Sequence, residues 1–188
     1  GLAQKMIHYF ENNAKLQDFE ISRMLIASEN NPSLTLAKKL GYQIISKWNY
    51  FSLESKQISQ QNTMLSDSCL IDCEELDMEK YNFIESWRWI PLTNERLKKL
   101  NSENKIFCQK IGSEITTLGI ITESESFENT VILEILFGTE LETMIKFVQN
   151  IAYKKNYSKI RILTELESLP KIENLENKFP FYLMEKKL

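Results

Sequence analysis

Residues 1–27 read GLAQKMIHYFENNAKLQDFEISRMLIA, and this stretch decides the fold of the N-terminal part of the chain. Its apolar residues recur every three or four positions, which is the period of an α-helix: Leu2, Met6, Ile7, Phe10 and Ala14. The segment ISRMLIA at 21–27 is a short apolar run and is typical of a largely buried strand. The stretch therefore predicts a helix over 2–15 followed directly by a strand.

The alternation of helix and strand continues over residues 28–55. Pro32 is well placed in the first turn of a second helix, and Gly41 is a natural stop just past its end. The following YQIISKWNYFSL is rich in aromatic and β-branched residues, so it predicts one long strand or a hairpin. Polar sequence rich in serine and glutamine at 57–68 then predicts a linker between two units.

Beyond the linker, the pattern predicts a second unit of mixed structure at 69–188. Three apolar segments separated by short turns, KIFCQKIG, ITTLGIITES and TVILEILF, favour an antiparallel run of strands. We expect further strands at 69–73, 159–165 and 181–186. We also expect helices at 76–84, from Thr93 or Asn94 onwards, and at 141–154, with a weaker helix at 170–177.

The composition is that of an ordinary globular protein. Of the 188 residues, 43% are hydrophobic and 26% are charged, and the net charge is −3 with both signs interspersed. This balance gives no electrostatic reason to expect nucleic acid or an anionic membrane as a partner. The longest apolar runs are too short to span a bilayer, and no signal peptide opens the chain, so we expect a cytoplasmic protein.

The cysteines give no indication of a metal site. Cys69, Cys73 and Cys108 lack paired spacing, and His8 is the one histidine that could join them. A structural zinc site needs four nitrogen or sulfur ligands at characteristic spacings. We therefore expect no metal, and we favour three reduced thiols in a cytoplasmic protein over the alternative of a disulfide.

The chain repeats itself at an interval of 138 residues. The residues that coincide are Met6 and Met144, Phe10 and Val148, Ala14 and Ala152, Arg23 and Arg161, and Pro32 and Pro170. The second copy has helix and strands before its shared helix, and the first copy has none. We therefore expect one whole unit preceded by the tail half of another. Because the chain begins at Gly1 without a methionine, we also expect that upstream sequence has been removed.

Two segments at the start of the chain resemble motifs of the GNAT superfamily of N-acetyltransferases. GLAQKMIHYFENNAKLQDF resembles the family's Arg/Gln-x-x-Gly-x-Gly/Ala loop with its helix, and SENNPSLTLAKKLGY resembles its Asn-x-x-Ala/Ser-hydrophobic helix ending in Gly-Phe/Tyr. The resemblance covers roughly residues 1–55. It implies a mixed α/β fold with a mostly antiparallel sheet flanked by helices. The predicted domains are then a C-terminal half-domain at 1–56 and a complete but degenerate domain at 69–188.

The resemblance implies that acetyl-CoA binds at the start of the first helix. A helix N-terminus holds a pyrophosphate through its unpaired N–H groups and the positive end of its macrodipole, and small residues allow close approach. The predicted cofactor-binding residues at this end are Gly1, Leu2, Ala3, Gln4 and Lys5, joined by Asn30 and Ser33 at the second helix. Asn30 is also a natural N-cap for that helix, and the two roles are compatible.

The resemblance further implies direct transfer of acetyl from the thioester to an amine of unknown identity. The acid that protonates the departing thiolate is often a tyrosine at the position of Ala37, so the usual acid is missing here. Tyr42 and Tyr50 are the candidates that could substitute for it only if the geometry permits, and the base is unassigned. The alternative is a non-catalytic protein that binds acyl-CoA or serves as a scaffold. A fold unrelated to the family is a third possibility. We expect this chain by itself to be inactive.

The second copy departs from the motifs that bind the cofactor. Its loop positions are Gly138, Thr139, Glu140 and Leu141, and Glu140 has the wrong charge for a pyrophosphate. Ser168 stands at the position of Asn30. We therefore expect this copy to pack and to shape the acceptor site without binding acetyl-CoA. In SWRWIPL, Trp87 and Trp89 would share one strand face, either as a contact within the protein or as a stacking platform for substrate.

Overall fold

The computed structural model describes residues 1–58, 82–85, 88–112 and 114–188. In chain order, the elements are α1 (Leu2–Leu16), β1 (Ile21–Ala27), α2 (Asn31–Lys39), β2 (Gln43–Glu54), β3 (Asn82–Glu85), β4 (Arg88–Pro91), α3 (Asn94–Ser102), β5 (Ile106–Ile111), β6 (Glu114–Glu123), β7 (Thr130–Gly138), α4 (Leu141–Lys154), β8 (Lys159–Thr164), β9 (Glu176–Asn177) and β10 (Phe181–Lys187). They form two compact units. Unit 1 comprises Gly1–Trp48 with Phe179–Leu188, and unit 2 comprises Asn49–Lys178.

Unit 1 is a three-stranded antiparallel sheet with two helices. Its strand order is β1–β10–β2, so the last strand of the chain lies between the first two. The apolar residues of this unit form one core cluster: Ile26, Leu34, Ala37, Leu40, Tyr42 and Met184. The C-terminal strand therefore completes the sheet that the N-terminal residues begin.

Unit 2 is built on a larger sheet with the strand order β2–β8–β7–β6–β5, to which the second part of β2 contributes. The pairing of β7 with β8 is parallel, and the other pairings are antiparallel. Helix α4 packs against this sheet because its apolar face is continuous, with Met144, Ile145, Val148 and Ala152 all fully buried in the main core cluster. Both units thus have a mostly antiparallel sheet flanked by helices, and this confirms the predicted fold class.

The parallel pairing in unit 2 ends where β8 ends, whereas β7 is longer. The ladder between β7 and β8 stops at Ile135 and Thr164, whereas β7 continues to Gly138. Thr164 closes the end of the ladder, because its hydroxyl donates a hydrogen bond to the carbonyl of Ile135 at 3.0 Å. Beyond this point β7 keeps β6 as its partner.

Most of the predicted elements are confirmed, and two are wrong. The helices at 2–15 and 141–154 and the strand at 21–27 form as predicted, and YQIISKWNYFSL is one long strand. The weaker helix predicted at 170–177 does not form; Asn174 adopts a left-handed backbone conformation (φ 62°) that a helix excludes, and 176–177 form the short strand β9. Residues 82–84, the end of the helix predicted at 76–84, belong to strand β3, and 76–81 lie outside the described residues.

The prediction of three reduced thiols is also wrong, because Cys108 is disulfide-bonded. Cys69 and Cys73 lie outside the described residues, as does the strand predicted at 69–73. The predicted cytoplasmic location stays a prediction.

The compact units group the chain differently from the predicted domains. The final strand was expected in the second domain at 69–188, but Phe179–Leu188 belong to unit 1 together with 1–48. Most of the predicted linker at 57–68 lies outside the described residues. The tandem origin of the two units stays a prediction.

Candidate functional site

The first turn of α1 carries most of the predicted cofactor-binding residues. Gly1 is the N-cap, and α1 begins at Leu2 with no side-chain cap and no acidic residue in its first turn. A Cβ atom built on Gly1 would meet no atom within 4 Å. The first N–H groups of α1 have no acceptor within the helix, and no acidic side chain lies in its first turn.

Asn30 and Ser33 lie at the N-terminus of α2. Asn30 is the N-cap, and its side-chain oxygen accepts a hydrogen bond from the backbone N–H of Ser33 at 3.2 Å. The structural role predicted for Asn30 is therefore confirmed. Asn30 is exposed, so its amide group is accessible from solvent.

The topology of unit 1 brings these two helix ends to the same side. Glu11 of α1 binds Lys186, and Lys186 pairs with Ser22 near the start of β1. Ile7, one turn earlier in α1, packs with the cluster that contains Ile26, near the end of β1. Helix α1 therefore runs antiparallel to β1. At about 1.5 Å per helical residue and 3.3 Å per strand residue, the two elements have similar lengths. The start of α1 and the loop after β1 that carries Asn30 thus share one end of the unit.

Tyr42, one of the two candidate acids, lies in a buried polar cluster inside unit 1. Its hydroxyl is 2.6 Å from the hydroxyl of Ser22, and its side chain is 3% exposed. Burial raises the pKa of Tyr42, the hydrogen bond with Ser22 offsets part of this rise, and the neighbouring Glu11 adds to it. A tyrosine with a raised pKa gives up its proton less readily, so this environment opposes a role as general acid.

Glu11 is the residue of this cluster that the sequence analysis missed. It is 6% exposed on α1, and Lys186 donates to both of its carboxylate oxygens at 2.9 Å. Burial alone would raise the pKa of Glu11, but hydrogen bonds with Lys186, Tyr42 and His8 outweigh it and hold that pKa below its usual value. The interaction joins α1 to β10. Glu11 stands at an inward position of the helix where an apolar residue is expected. This break in the apolar pattern is the signal that could have revealed the contact with Lys186.

Tyr50, the other candidate acid, lies in unit 2 and is also engaged. Its hydroxyl accepts a hydrogen bond from Arg161, and its side chain is 4% exposed. Burial raises the pKa of Tyr50, and the charge of Arg161 offsets part of that rise. Arg161 also lies 4.3 Å from the centre of the Phe127 ring, a cation–π contact. Tyr42 and Tyr50 belong to different units, and their catalytic roles stay predictions.

The N-terminus of α4 differs from that of α1 in both charge and packing. Its cap is Glu140, and Glu142 lies in its first turn. The N–H of Glu140 already donates to the hydroxyl of Thr117 at 3.1 Å. A Cβ atom on Gly138 would lie 2.5 Å from the methyl carbon of Thr117, so this loop is closed by the protein itself. The weaker helix predicted at 170–177, after Ser168, is absent. The second copy therefore lacks a counterpart of α2, the helix that carries the second motif in the first copy.

A polar cavity of about 300 Å³ in unit 2 is lined by Ser52, Leu53, Glu54, Lys159, Asn174 and Glu176, and it contains none of the predicted site residues.

Among the described residues, no group of three or more histidine, cysteine, aspartate and glutamate side chains is placed to hold a metal ion. In the same part of the chain, no helix is long and apolar enough to cross a membrane. Trp87 lies outside the described residues, so the predicted stacking platform stays a prediction.

Comparison with solved structures places this arrangement among known folds. No family model and no curated protein sequence matches the chain. A protein from Thermoplasma acidophilum proposed to be an acetyltransferase matches 98% of the chain with a TM-score of 0.65 and 11% sequence identity. A GCN5-related N-acetyltransferase from Sphaerobacter thermophilus matches all of the chain with a TM-score of 0.61 and 11% sequence identity. A GCN5-related N-acetyltransferase from Kribbella flavida matches 97% of the chain with a TM-score of 0.60 and 8% sequence identity.

The chain is shorter than each of these proteins. It spans 62% of the Thermoplasma chain, 68% of the Sphaerobacter chain and 74% of the Kribbella chain. At identities this low, the likeness concerns the fold. The chain therefore has the mixed α/β fold of the GCN5-related N-acetyltransferases.

Proposed function

We propose that this chain is part of an acetyl-CoA-dependent N-acetyltransferase in which the N-terminus of α1 binds the pyrophosphate of the cofactor. The observation that carries the proposal is the state of that helix end. It has Gly1 as its cap, no acidic residue in its first turn and no side chain bonded to its cap, within a fold shared with GCN5-related N-acetyltransferases. In that fold, this helix end is where an anion would be best accommodated.

The proposed site combines backbone and side-chain groups. The N–H groups of Leu2, Ala3 and Gln4 would hold phosphate oxygens, and Lys5 would add a positive charge. Asn30 and Ser33 begin α2 at the same end of unit 1 and would contact the pantetheine arm. The contrast with α4 supports this assignment, because a helix end with two glutamates and an engaged N–H would repel an anion.

The proposed reaction is attack by an acceptor amine on the acetyl carbonyl, with loss of the coenzyme A thiolate. It needs a base for the amine proton and an acid for the thiolate. Tyr42 and Tyr50 stay the candidates for the acid. To act, either hydroxyl would have to exchange its present partner, Ser22 or Arg161, for the leaving sulfur.

A second candidate function is a non-catalytic protein that binds acyl-CoA or acts as a scaffold. Two observations favour it. Ala37, at the usual tyrosine position, is 1% exposed and packs in the core of unit 1. Both candidate tyrosines are buried and have raised pKa values.

An amine panel separates the two functions. The full-length protein, of which this chain is proposed to be part, is incubated with acetyl-CoA and amines that include peptide N-termini, lysine, polyamines and amino sugars, while release of the free thiol is followed. The enzyme hypothesis expects thiol release that depends on one class of amine and falls in Tyr42→Phe or Tyr50→Phe. Binding of acetyl-CoA without thiol release from any amine would favour the non-catalytic function.

A further inference from the structure

The polar cavity of unit 2 lies on one face of the larger sheet. Its volume is about 300 Å³, and we call it the β2–β9 cavity, defined by its lining residues: Ser52, Leu53, Glu54, Lys159, Asn174 and Glu176. Residues directly opposite each other on neighbouring strands project from the same face of a sheet. Glu54 is opposite Lys159, and Ser52 is opposite Glu176. Because Ser52 and Glu54 stand two positions apart on β2, these four side chains share one face.

The other face of the same strands is covered by the protein core. Leu53, between Ser52 and Glu54, is 2% exposed and belongs to the core cluster that contains the apolar face of α4. Ile160, next to Lys159, is fully buried in the same cluster. The cavity therefore lies on the side of the sheet away from α4, and a packed core supports the strands beneath it.

Hydrogen bonds fix the backbone on both sides of the cavity. The side-chain amide of Gln149 on α4 donates to the carbonyl of Glu54 at 3.0 Å. On the other side, β9 pairs with β2, and the N–H of Lys178 donates to the carbonyl of Tyr50 at 2.8 Å. Asn174, in the turn before β9, has a left-handed backbone (φ 62°), a conformation that asparagine adopts more readily than most residues. The backbone around the cavity is thus defined by contacts within unit 2.

Two of the charged residues at the cavity are not paired with each other. Glu176 accepts a hydrogen bond from Lys178 at 2.5 Å, and this bond lowers the pKa of Glu176, with a smaller contribution from the charge of Lys159. Lys56 and Glu173 likewise form an ion pair nearby, at 3.0 Å.

Glu54 and Lys159 differ from these neighbouring pairs. Opposite charges that face each other across two strands normally interact. Among the residues that the structure describes, however, neither Glu54 nor Lys159 forms an ion pair, although the two are directly opposite. The cavity therefore presents one carboxylate and one ammonium group that are available to a ligand.

A ligand that matches this pair carries one ammonium group and one carboxylate group. The carboxylate of Glu54 accepts hydrogen bonds from an ammonium group, and the ammonium group of Lys159 donates to a carboxylate. Ser52 and Asn174 add a hydroxyl and an amide, which both donate and accept hydrogen bonds. The volume lies at the lower end of the range for ligand sites, about 300–1,000 Å³. The match is a small zwitterion.

Other ligand classes fit this lining less well. Two glutamates and one lysine give the cavity a net charge of −1. This charge opposes a phosphate or a nucleotide. An apolar ligand would leave the hydroxyl, amide and charged groups without hydrogen-bond partners.

We propose that the β2–β9 cavity binds a free α-amino acid with a neutral polar side chain. The amino group of the ligand contacts Glu54, and its carboxylate contacts Lys159. Ser52 and Asn174 form hydrogen bonds with its side chain. This inference concerns unit 2 alone and does not depend on the proposed acetyltransferase activity.

Titration of the ¹⁵N-labelled 188-residue chain with L-glutamine, followed in ¹H–¹⁵N spectra, tests the proposal. A ligand of about ten heavy atoms in an exposed polar site binds in roughly the millimolar range. We expect saturable shifts at the amides of Ser52, Glu54, Lys159 and Glu176. L-Glutaminamide lacks the carboxylate and N-acetyl-L-glutamine lacks the ammonium group, so each should bind at least about threefold more weakly. The proposal is overturned if L-glutamine, L-asparagine and L-serine all fail to shift these amides, or if the three glutamine compounds bind equally.

Charge-reversal variants assign the two ends of the ligand. Glu54→Lys and Lys159→Glu should each weaken binding of L-glutamine at least about tenfold, because one charge of the ligand then meets a like charge. The double variant exchanges the two charges and should bind more tightly than either single variant. Glu167→Gln, at an exposed glutamate of unit 2 outside the cavity, is the control and should leave binding unchanged. Thermal melts confirm that each variant is folded. A double variant that binds no better than the weaker single variant would overturn the assignment.

Discussion

The pair formed by Glu11 and Lys186 joins the N-terminal helix of unit 1 to the C-terminal strand, so its removal should weaken unit 1. In Glu11→Gln, the carboxylate that accepts two 2.9 Å hydrogen bonds from Lys186 is replaced by a neutral amide of the same shape. The lysine keeps its charge in a site where it is 23% exposed and has lost its counter-ion. The variant thus isolates the contribution of the charge from that of the packing.

The magnitude follows from the burial of the two partners. Breaking a fully buried pair costs about 3–5 kcal/mol, and an exposed pair contributes about 0–1 kcal/mol. Glu11 is 6% and Lys186 is 23% exposed, so the pair lies between these limits, and we expect a loss of about 2 kcal/mol. For a domain of this size, that loss lowers the melting temperature by roughly 4–8 °C.

The pH dependence gives an independent check with a definite sign. The folded pKa of Glu11 is lowered relative to the unfolded chain, so the unfolded state binds more protons in the acidic range. The stabilisation is therefore complete above the unfolded pKa of about 4.3 and is lost as the pH falls through the folded value. The difference in melting temperature between the wild-type protein and Glu11→Gln should shrink on acidification from pH 6 to pH 3.

Differential scanning calorimetry of four variants, Glu11→Gln, Lys186→Met, their double variant and Glu29→Gln, completes this test. Glu29→Gln makes the same change at an exposed glutamate of unit 1 and should leave the free energy of unfolding within about 0.5 kcal/mol of the wild-type value. The double variant Glu11→Gln with Lys186→Met should be more stable than the sum of the single changes, because it leaves no unpaired charge. The reasoning is refuted if Glu11→Gln melts within 1 °C of Glu29→Gln at pH 7.

Three further predictions concern single side chains. Asn30→Ala should lower the free energy of unfolding by about 1 kcal/mol through loss of the helix cap. Asn30→Asp keeps the cap, so this variant should retain its stability while binding acetyl-CoA more weakly. Equal loss of stability in urea titrations of both variants would contradict the capping geometry. Gly138→Ala should destabilise the protein by about 1–3 kcal/mol, since its Cβ would lie 2.5 Å from the Thr117 methyl group; Gly1→Ala is the control and should show no change by thermal melting. Arg161→Lys should lower stability in urea by about 1–2 kcal/mol, because lysine loses the planar contact with an aromatic ring at 4.3 Å; a neutral result would show that this ring contact contributes little.

The periodic parts of the fold could be predicted from the sequence, because local pattern and tertiary packing agree there. Helix α4 is the clearest case, since its 14 residues have one apolar face and that face is the one that is buried. The segment at 170–177 fails for the opposite reason. Leu169, Ile172 and Leu175 pack against the core at a spacing close to that of a helix, yet Asn174 turns the backbone to the left-handed region and ends any helical run.

The candidate site could be predicted only where it rests on local backbone chemistry. The cap at Asn30 depends on residues three positions apart, and the sequence alone indicates it. The cluster around Glu11 joins residues 175 positions apart, and the contact of Tyr50 with Arg161 joins residues 111 positions apart. Such pairs depend on where β10 and β2 lie in the sheets, and no local pattern specifies that.

The central claim is that the N-terminus of α1 holds the pyrophosphate of acetyl-CoA, and amide chemical shifts test it most directly. In ¹H–¹⁵N spectra of the 188-residue chain titrated with coenzyme A to several millimolar, we expect the largest saturable shifts at the amides of Leu2, Ala3 and Gln4. Ala3→Glu should abolish them, and Thr139→Glu, in the loop before α4, should leave them unchanged. Shifts centred on 139–141, or none at any concentration, would contradict the account.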